Sequence, residues 1–398
     1  IALCAVRSDP EIFLYVSEEL SQDVDLIAAA NGGSFEGTLR IAYDDVSQYP
    51  IQALLDLYER IQADSSFPSI QYKDSHGLDA GGLTRDFVSR LFKALFDGRD
   101  LALLVRRQEK RYILQLSESS SSSYSEQIAS YRAIGAIFAF ALMDHQSLCV
   151  GMHFHEVLFS MVHSLTEEEM NELRLVVESG PFPKEIYNKL LKIYLQSQYL
   201  TVFGFPSESL ERVYQAIDEF VDDGRIPEAL EREYEEAAID DKKNEFLMDF
   251  RVHHTLMAAL VIMQSMSCYL PEGQWHQLKG DFPNQLQTHI EGSLSKQQVL
   301  DALEWDAADE KTKRWLVEWI HQATDEGFEQ FVFAMTGAFS LAPGQRLHIH
   351  LYSEDQALPS FRTCTFTMNL PKAYLDFPTF KAKLECSLLE GGKRFQFL

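Results

Sequence analysis

Cysteines are few in this sequence, and their spacing excludes the common cysteine-based sites. The five of them are odd in number and far apart: Cys4, Cys149, Cys268, Cys364 and Cys386. No pair has C-x-x-C spacing, so we expect neither a disulfide framework nor a zinc site of that type. The pattern favours a reducing, cytosol-like compartment.

The sequence also lacks net positive charge. Its 35 lysines and arginines stand against 60 aspartates and glutamates, which gives a net charge of −25 at pH 7. This balance argues against nucleic acid, whose phosphates would be repelled, and against an anionic membrane surface. An acidic chain suits basic protein partners or simply solubility.

Long apolar runs and metal-binding motifs are missing as well. The longest apolar runs, 133–143 and 256–263, are far shorter than the roughly 20 residues of a membrane-spanning helix. They predict buried helices and no membrane insertion. Histidine occurs in three close pairs without the spacing of known metal motifs, so we expect no metal and no cofactor; the pairs are His153/His155, His253/His254 and His348/His350.

Hydrophobic periodicity predicts an α+β fold that is mostly helical before residue 290. Residues 1–33 form a predicted helical module that ends at a Gly-Gly break, and residues 218–249 carry 13 acidic side chains. Glycine and proline breaks, together with the alternation of apolar and polar residues, set the bounds of the other predicted helices and strands. Helices are predicted over 50–62, 83–96, 128–162, 296–303, 316–337 and 377–390, and strands over 39–46, 346–352 and 363–370.

Cys364 lies in the last predicted strand, in the segment LPSFRTCTFTMNLP. A cysteine in such an alternating segment is most often a small buried hydrophobe. Against that interpretation, Arg362 lies two residues earlier, and two residues apart in a strand share a face. A nearby cation stabilises a thiolate, so Cys364 is a candidate nucleophile. Thr363 and Thr365 flank Cys364 with hydroxyls.

Three segments in this order resemble one family. TCTFTMNLP with its upstream Leu358-Pro359 is similar to the active-site segment of HECT-type ubiquitin ligases. IQYKDSHGLDAGGLTRDFVSRLF resembles the family's N-lobe signature, and SYRAIGAIFAFAL resembles the helix that follows it. The signature positions are held by Gly77, Asp79, Gly81, Gly82, Arg85, Asp86 and Phe87.

The resemblance implies a bilobal α+β fold with a large, mostly helical N-lobe (38–290) and a small C-lobe (293–398). It implies a ubiquitin-protein transferase that accepts ubiquitin from a conjugating enzyme as a thioester on Cys364 and passes it to a substrate lysine. The partners are thus ubiquitin, a conjugating enzyme that binds within 195–280, and a substrate protein.

Further roles follow if the resemblance holds. Arg362 could favour the thiolate or stabilise the oxyanion, and the Thr363 hydroxyl could donate a hydrogen bond. The resemblance gives Phe395 the role of holding the C-terminal tail for the second transfer. Gly292 and Ser293 form a hinge, at which Gly292→Pro should reduce ligation more than stability. The signature residues Asp79, Gly81, Gly82 and Arg85 have a structural role. The attacking lysine amine must lose a proton, which implies a nearby carboxylate; the candidates are Glu385, Asp355 and Glu390.

The chain departs from the family pattern at several positions. Arg362 replaces the usual histidine, Thr365-Phe366 replace the usual Phe-Asn, and the Asn-Lys motif of the conjugating-enzyme-binding part is absent from 195–280. Residues 1–30 resemble short helical repeats of large bacterial proteins, which suggests a bacterial ligase acting inside a host cell. Two alternatives stay open: a cysteine hydrolase, which needs His348 or His350 as a base, and an inactive module that binds ubiquitin or a conjugating enzyme.

Overall fold

The structure is a computed structural model that describes eleven stretches of the chain. They are 38–73, 81–97, 104–108, 111–115, 123–144, 148–176, 182–203, 252–306, 309–352, 357–372 and 374–391. The predicted helical module 1–33, the acidic segment 218–249, Asp79, Asp355 and Phe395 lie outside the described residues, as does the side chain of Glu390.

The described stretches contain helices, short strands and one 3₁₀ turn (Thr363–Thr365). The helices are α1 (Tyr43–Gln48), α2 (Pro50–Asp64), α3 (Gly82–Asp97), α4 (Tyr124–Met143), α5 (Glu156–Ser164), α6 (Glu167–Leu175), α7 (Lys184–Phe203), α8 (Val252–Tyr269), α9 (Trp275–Lys279), α10 (Pro283–Glu291), α11 (Lys296–Ala302), α12 (Glu310–Gln322), α13 (Asp325–Thr336) and α14 (Phe377–Gly391). The strands are β1 (Thr38–Ile41), β2 (Ser69–Tyr72), β3 (Leu104–Gln108), β4 (Arg111–Gln115), β5 (Leu303–Trp305), β6 (Leu347–Tyr352), β7 (Ser360–Arg362) and β8 (Thr367–Pro371). The α+β fold class is confirmed.

The described residues fall into two compact units. The first takes its residues from within 38–94, 148–152 and 292–391, and the second from within 95–144 and 153–291. The predicted lobes, 38–290 and 293–398, remain a prediction. Across the described helices, none combines the length and the apolar character that crossing a membrane requires.

In the first unit, β1 and β2 pair in parallel, with Leu39 opposite Ile70. The predicted strand 39–46 ends early, at Ile41, because Asp44 and Asp45 occupy the first turn of α1, where acidic side chains favour a helix. Helix α2 begins at Pro50, a position where the missing N–H has no cost.

The first unit also holds a four-stranded sheet in the order β5-β6-β8-β7. β6 pairs in parallel with β5 and β8, whereas β7 is antiparallel to β8. Alternate residues of β6 divide between the faces: Leu347, Ile349 and Leu351 are buried, while His348 and His350 are exposed. The buried face packs on a core built from α11 to α14.

The predicted helix 316–337 is in fact two helices, α12 and α13. They are separated at Ala323 and Thr324 because the Thr324 hydroxyl accepts a hydrogen bond from the Gly327 N–H (3.1 Å) and caps α13. α13 ends at Gly337, whose left-handed φ of +78° matches the usual helix C-terminus.

The second unit is built around α4 and α8. They approach so closely that a β-carbon at Gly135 would overlap the carbonyl oxygen of Ile262, so this crossing requires glycine. The predicted helix 128–162 is interrupted after Met143 and resumes at Glu156. Ser123 begins α4 with a capping box completed by Glu126.

Candidate active site around Cys364

Cys364 lies on a 3₁₀ turn, Thr363–Thr365, that joins β7 to β8. The prediction of one strand over 363–370 is therefore wrong for its first half, because the strand begins only at Thr367. Phe366 closes the turn with a φ of +51°, a left-handed conformation that costs a non-glycine residue about 1–2 kcal/mol. Cys364 is partly exposed at this turn.

Arg362 does not have the relation to Cys364 that the strand prediction assumed. β7 ends at Arg362, so the two residues do not belong to one extended segment with a shared face. Arg362 instead lines a groove of about 580 Å³ on the exposed face of the sheet. Charged, polar and apolar residues share this lining: Glu304, Trp305, Asp306, His348, Ile349, His350, Thr367 and Asn369.

Arg85 of α3 brings a cation into contact with the Cys364 turn. Its Nη2 donates to the Thr363 carbonyl at 2.6 Å, and its Nε donates to the Thr336 carbonyl at 2.7 Å. The guanidinium also lies 4.4 Å from the centre of the Phe366 ring, in cation–π geometry. Arg85 is only 3% exposed, so these contacts are made in a desolvated setting.

Glycines around Arg85 leave room for the turn. A β-carbon on Gly82 would lie 2.7 Å from Thr363 Oγ1 and 2.8 Å from Cys364 Sγ. A β-carbon on Gly337 would lie 2.9 Å from the Gly82 carbonyl oxygen, and Gly81 has a φ of +91°. We call Gly82, Arg85 and Gly337 the seat of the Cys364 turn.

Sequence reasoning assigned Gly81, Gly82 and Arg85 to a structural motif and did not connect them with Cys364. One signal was available: Arg85 follows Gly82 by three positions in a helix, and residues at that spacing share a face. A glycine and an arginine on one face leave a small gap in the helix surface next to a positively charged side chain. Only the tertiary structure shows that Thr363 and Cys364 fill it.

A buried ionic group anchors the seat's helix. The Asp86 carboxylate accepts hydrogen bonds from the Tyr72 hydroxyl and the Arg90 Nε, each at 2.6 Å. Burial raises the pKa of the Asp86 carboxyl, while attraction to Arg90 opposes that rise. Arg90 also lies over the rings of Tyr43 and Phe333.

The predicted hinge residues are closely packed. Gly292 has a φ of +74°, and a β-carbon there would lie 2.5 Å from Ser340 Oγ and 2.9 Å from Cys149 Sγ. Ser293 exchanges two backbone hydrogen bonds with Leu341, at 2.9 and 2.7 Å. Close packing thus gives position 292 a reason to be glycine that does not depend on hinge motion.

The remaining candidate side chains have partners elsewhere in the first unit. Glu385 accepts a hydrogen bond from the Trp319 indole N–H at 3.3 Å. His348 contacts Glu304 at 3.3 Å, and His350 contacts Asp306. Within the described residues, no group of three or more histidines, cysteines, aspartates and glutamates has a geometry suited to a metal ion.

A family model confirms the resemblance on which the sequence analysis depended. The model for the HECT domain, a ubiquitin-transferase, matches residues 89–398. The chain belongs to the HECT family. This HECT domain is therefore of the ubiquitin-protein transferase class, whose members work with ubiquitin, conjugating enzymes and substrates. No match was found among curated proteins.

The matched range includes the turn with Cys364 and the Gly292-Ser293 pair. It begins four residues after Arg85, so Gly81, Gly82 and Arg85 enter the site through their contacts and not through the family match. The hydrolase and inactive-module alternatives are not favoured by the match.

Proposed function

We propose that this HECT domain accepts ubiquitin from a conjugating enzyme as a thioester on Cys364 and transfers it to a substrate lysine. The supporting observation is the position of Cys364: a partly exposed cysteine on a hairpin turn whose backbone is held by a buried arginine. Among the other described cysteines, Cys149 is buried and Cys268 and Cys386 lie on helices.

Both steps balance without a metal or a redox partner. In the first, the Cys364 thiolate attacks the thioester carbonyl and the conjugating enzyme's thiolate leaves, so that one thioester replaces another. In the second, a lysine amine attacks the new thioester, an amide forms, the Cys364 thiolate leaves and the amine loses a proton. Positioning of the reacting atoms can contribute several kcal/mol to such steps.

Other roles remain part of the proposal. Thr363 and Arg362 assist Cys364, Phe395 holds the tail, and Glu385, Asp355 or Glu390 takes the proton of the lysine amine. The role of a bacterial ligase in a host cell rests on residues 1–30, which lie outside the described part of the chain.

A thioester assay tests the proposal. The purified chain is mixed with activating enzyme, a panel of conjugating enzymes, ubiquitin and ATP, and run on gels with and without reductant. We expect a reductant-sensitive ubiquitin adduct that is lost in Cys364→Ala and kept in Cys386→Ala, a matched change at an exposed cysteine. An adduct that survives Cys364→Ala, or no adduct with any conjugating enzyme, would refute it.

A further inference from the structure

The contact between α3 and the Cys364 turn combines hydrogen bonds with close steric packing. Arg85 bridges two carbonyls that are far apart in sequence, Thr336 at the end of α13 and Thr363 in the turn. Gly82 receives the Cys364 sulfur where even a methyl group would not fit. The turn is therefore fixed by both a hydrogen bond and a steric stop.

The charge of Arg85 is suited to this contact. The last carbonyls of a helix carry partial negative charge, and Thr336 is the last residue of α13. Because Arg85 is buried, its hydrogen bonds to these carbonyls are made at low dielectric and are charge-assisted. The planar guanidinium reaches both oxygens at once, which the single ammonium group of lysine cannot copy.

We propose that Arg85 is a positioning residue for ubiquitin transfer, and that the seat fixes the Cys364 thioester for attack by the substrate lysine. This inference rests on the proposed thioester at Cys364. Arg85 acts through the Thr363 carbonyl, while Gly82 lies against one side of the sulfur.

The transfer step explains why a fixed turn matters. The amine must approach the thioester carbonyl at a defined angle while the C–S bond breaks, and a displacement of about 1 Å can cost about 100-fold in rate. Since Gly82 lies against one side of Sγ, the ubiquitin carbonyl must extend from the other side. The seat thus selects one orientation of the thioester.

The first test fills the gap at Gly82. Gly82→Ala adds only a methyl group, at a helical position where alanine is favoured, so α3 is retained. The methyl would displace Thr363 and Cys364. The matched control is Gly327→Ala in the first turn of α13, where the added β-carbon would meet only Thr324 Oγ1, at 3.3 Å.

The second test removes the bridge. Arg85→Ala deletes both hydrogen bonds, and Arg85→Lys can restore one of them. The control is Lys93→Ala, which removes another cation from the same helix. The Lys93 ammonium contacts Glu329 (3.6 Å) and the Phe339 ring, so this variant measures the effect of losing a charged contact of α3 other than that of Arg85.

The readout separates loading from discharge. The full chain is loaded with fluorescent ubiquitin by a conjugating enzyme that supports the wild-type adduct, further loading is stopped, and discharge to free lysine is followed over a range of lysine concentrations. We expect Gly82→Ala and Arg85→Ala to lower the discharge rate constant at saturating lysine by about 10- to 100-fold. Loading and the half-saturating lysine concentration should change less than about threefold. Arg85→Lys should lie between Arg85→Ala and wild type, and both controls should match wild type.

The inference is overturned if Gly82→Ala discharges as fast as Gly327→Ala. It is also overturned if the Arg85 variants lose loading and discharge together, in proportion to a loss of thermal stability, because that result describes a structural residue. Failure of the proposed function is distinguishable, since the wild-type chain would then form no thioester on Cys364.

Discussion

Gly292 offers a quantitative test of whether packing or motion explains a glycine at the predicted hinge. Its φ of +74° is in the left-handed region, where a β-carbon costs about 1–2 kcal/mol. In Gly292→Ala the new methyl would also press on Ser340 Oγ at 2.5 Å and on the Leu341 carbonyl at 3.0 Å. Overpacking of this kind typically costs about 1–3 kcal/mol.

Together these effects predict that Gly292→Ala lowers the free energy of unfolding by about 2–5 kcal/mol. Each kcal/mol lowers the Tm by about 2–4 °C for a unit of 150–250 residues, so a decrease of about 4–20 °C is expected in thermal unfolding followed by circular dichroism. Gly292→Pro should lose at least as much unfolding free energy as Gly292→Ala, because proline requires a φ near −65°. The proline variant should therefore lose stability as well as ligation, contrary to the prediction made from the sequence.

The first unit supplies a matched control. Gly344 has a φ of +75°, but a β-carbon there would have no neighbour within 4 Å. Gly344→Ala should therefore show the backbone cost alone, and the difference between the two variants gives the cost of overpacking. Replacing Ser340 by alanine removes the nearest obstacle and should recover part of that difference.

Equal Tm losses in Gly292→Ala and Gly344→Ala would refute the packing argument. Transfer activity then separates the two explanations. If Gly292→Ala is assayed at a temperature where it is fully folded and still transfers ubiquitin at the wild-type rate, no hinge role remains at this position.

Two further substitutions test the electrostatics and backbone of the first unit. Arg90→Ala leaves the buried Asp86 carboxylate without its guanidinium and should cost about 3–5 kcal/mol in urea unfolding at pH 7. Burial raises the pKa of Asp86 in the folded protein, so the stability gained by protonating it is fully present below the unfolded-state pKa near 3.9 and is lost as the pH rises. The stability that Arg90→Ala loses relative to wild type should therefore shrink between pH 7 and 4.5. A loss of constant size over this range would contradict the expectation. Ser65→Gly should raise the Tm by about 1–4 °C, because exposed Ser65 ends α2 with a φ of +50° that glycine adopts freely; a lower Tm would show that the serine side chain contributes more than the conformation costs.

Local patterns in the sequence predicted those parts of the fold that local patterns determine. α2 and α3 match the predicted helices within two residues at each end, and the apolar face of α3 is buried as expected, with Phe87 and Leu91 fully enclosed. The C-terminal helix α14 also agrees with its prediction. In each case a periodic apolar face faces one core, so the sequence carries the information within a short window.

The Cys364 turn could not be predicted in this way. Thr-Cys-Thr-Phe alternates polar and apolar residues as a strand does, and the turn becomes evident only from the left-handed φ of Phe366 and the hydrogen bond from Arg85, 278 residues earlier in sequence. The family usually has asparagine at the position of Phe366, and asparagine adopts left-handed conformations more readily than phenylalanine. The asparagine of the family pattern therefore indicates a turn at this position. Phenylalanine in its place does not by itself show that the left-handed conformation is kept.

The same contact explains why the signature in α3 needs its residue types. Asp86, next to Arg85 on α3, accepts hydrogen bonds from Tyr72 and Arg90 that hold this helix in place. Gly82 must lack a side chain for the sulfur to approach, and Arg85 must be arginine to bind two carbonyls at once. A purely structural motif would require only that α3 pack well, which many apolar residues could do. A glycine and a buried cation are poor residues for packing a helix. Their presence in α3 is explained by the contact that Gly82 and Arg85 make with the Cys364 turn.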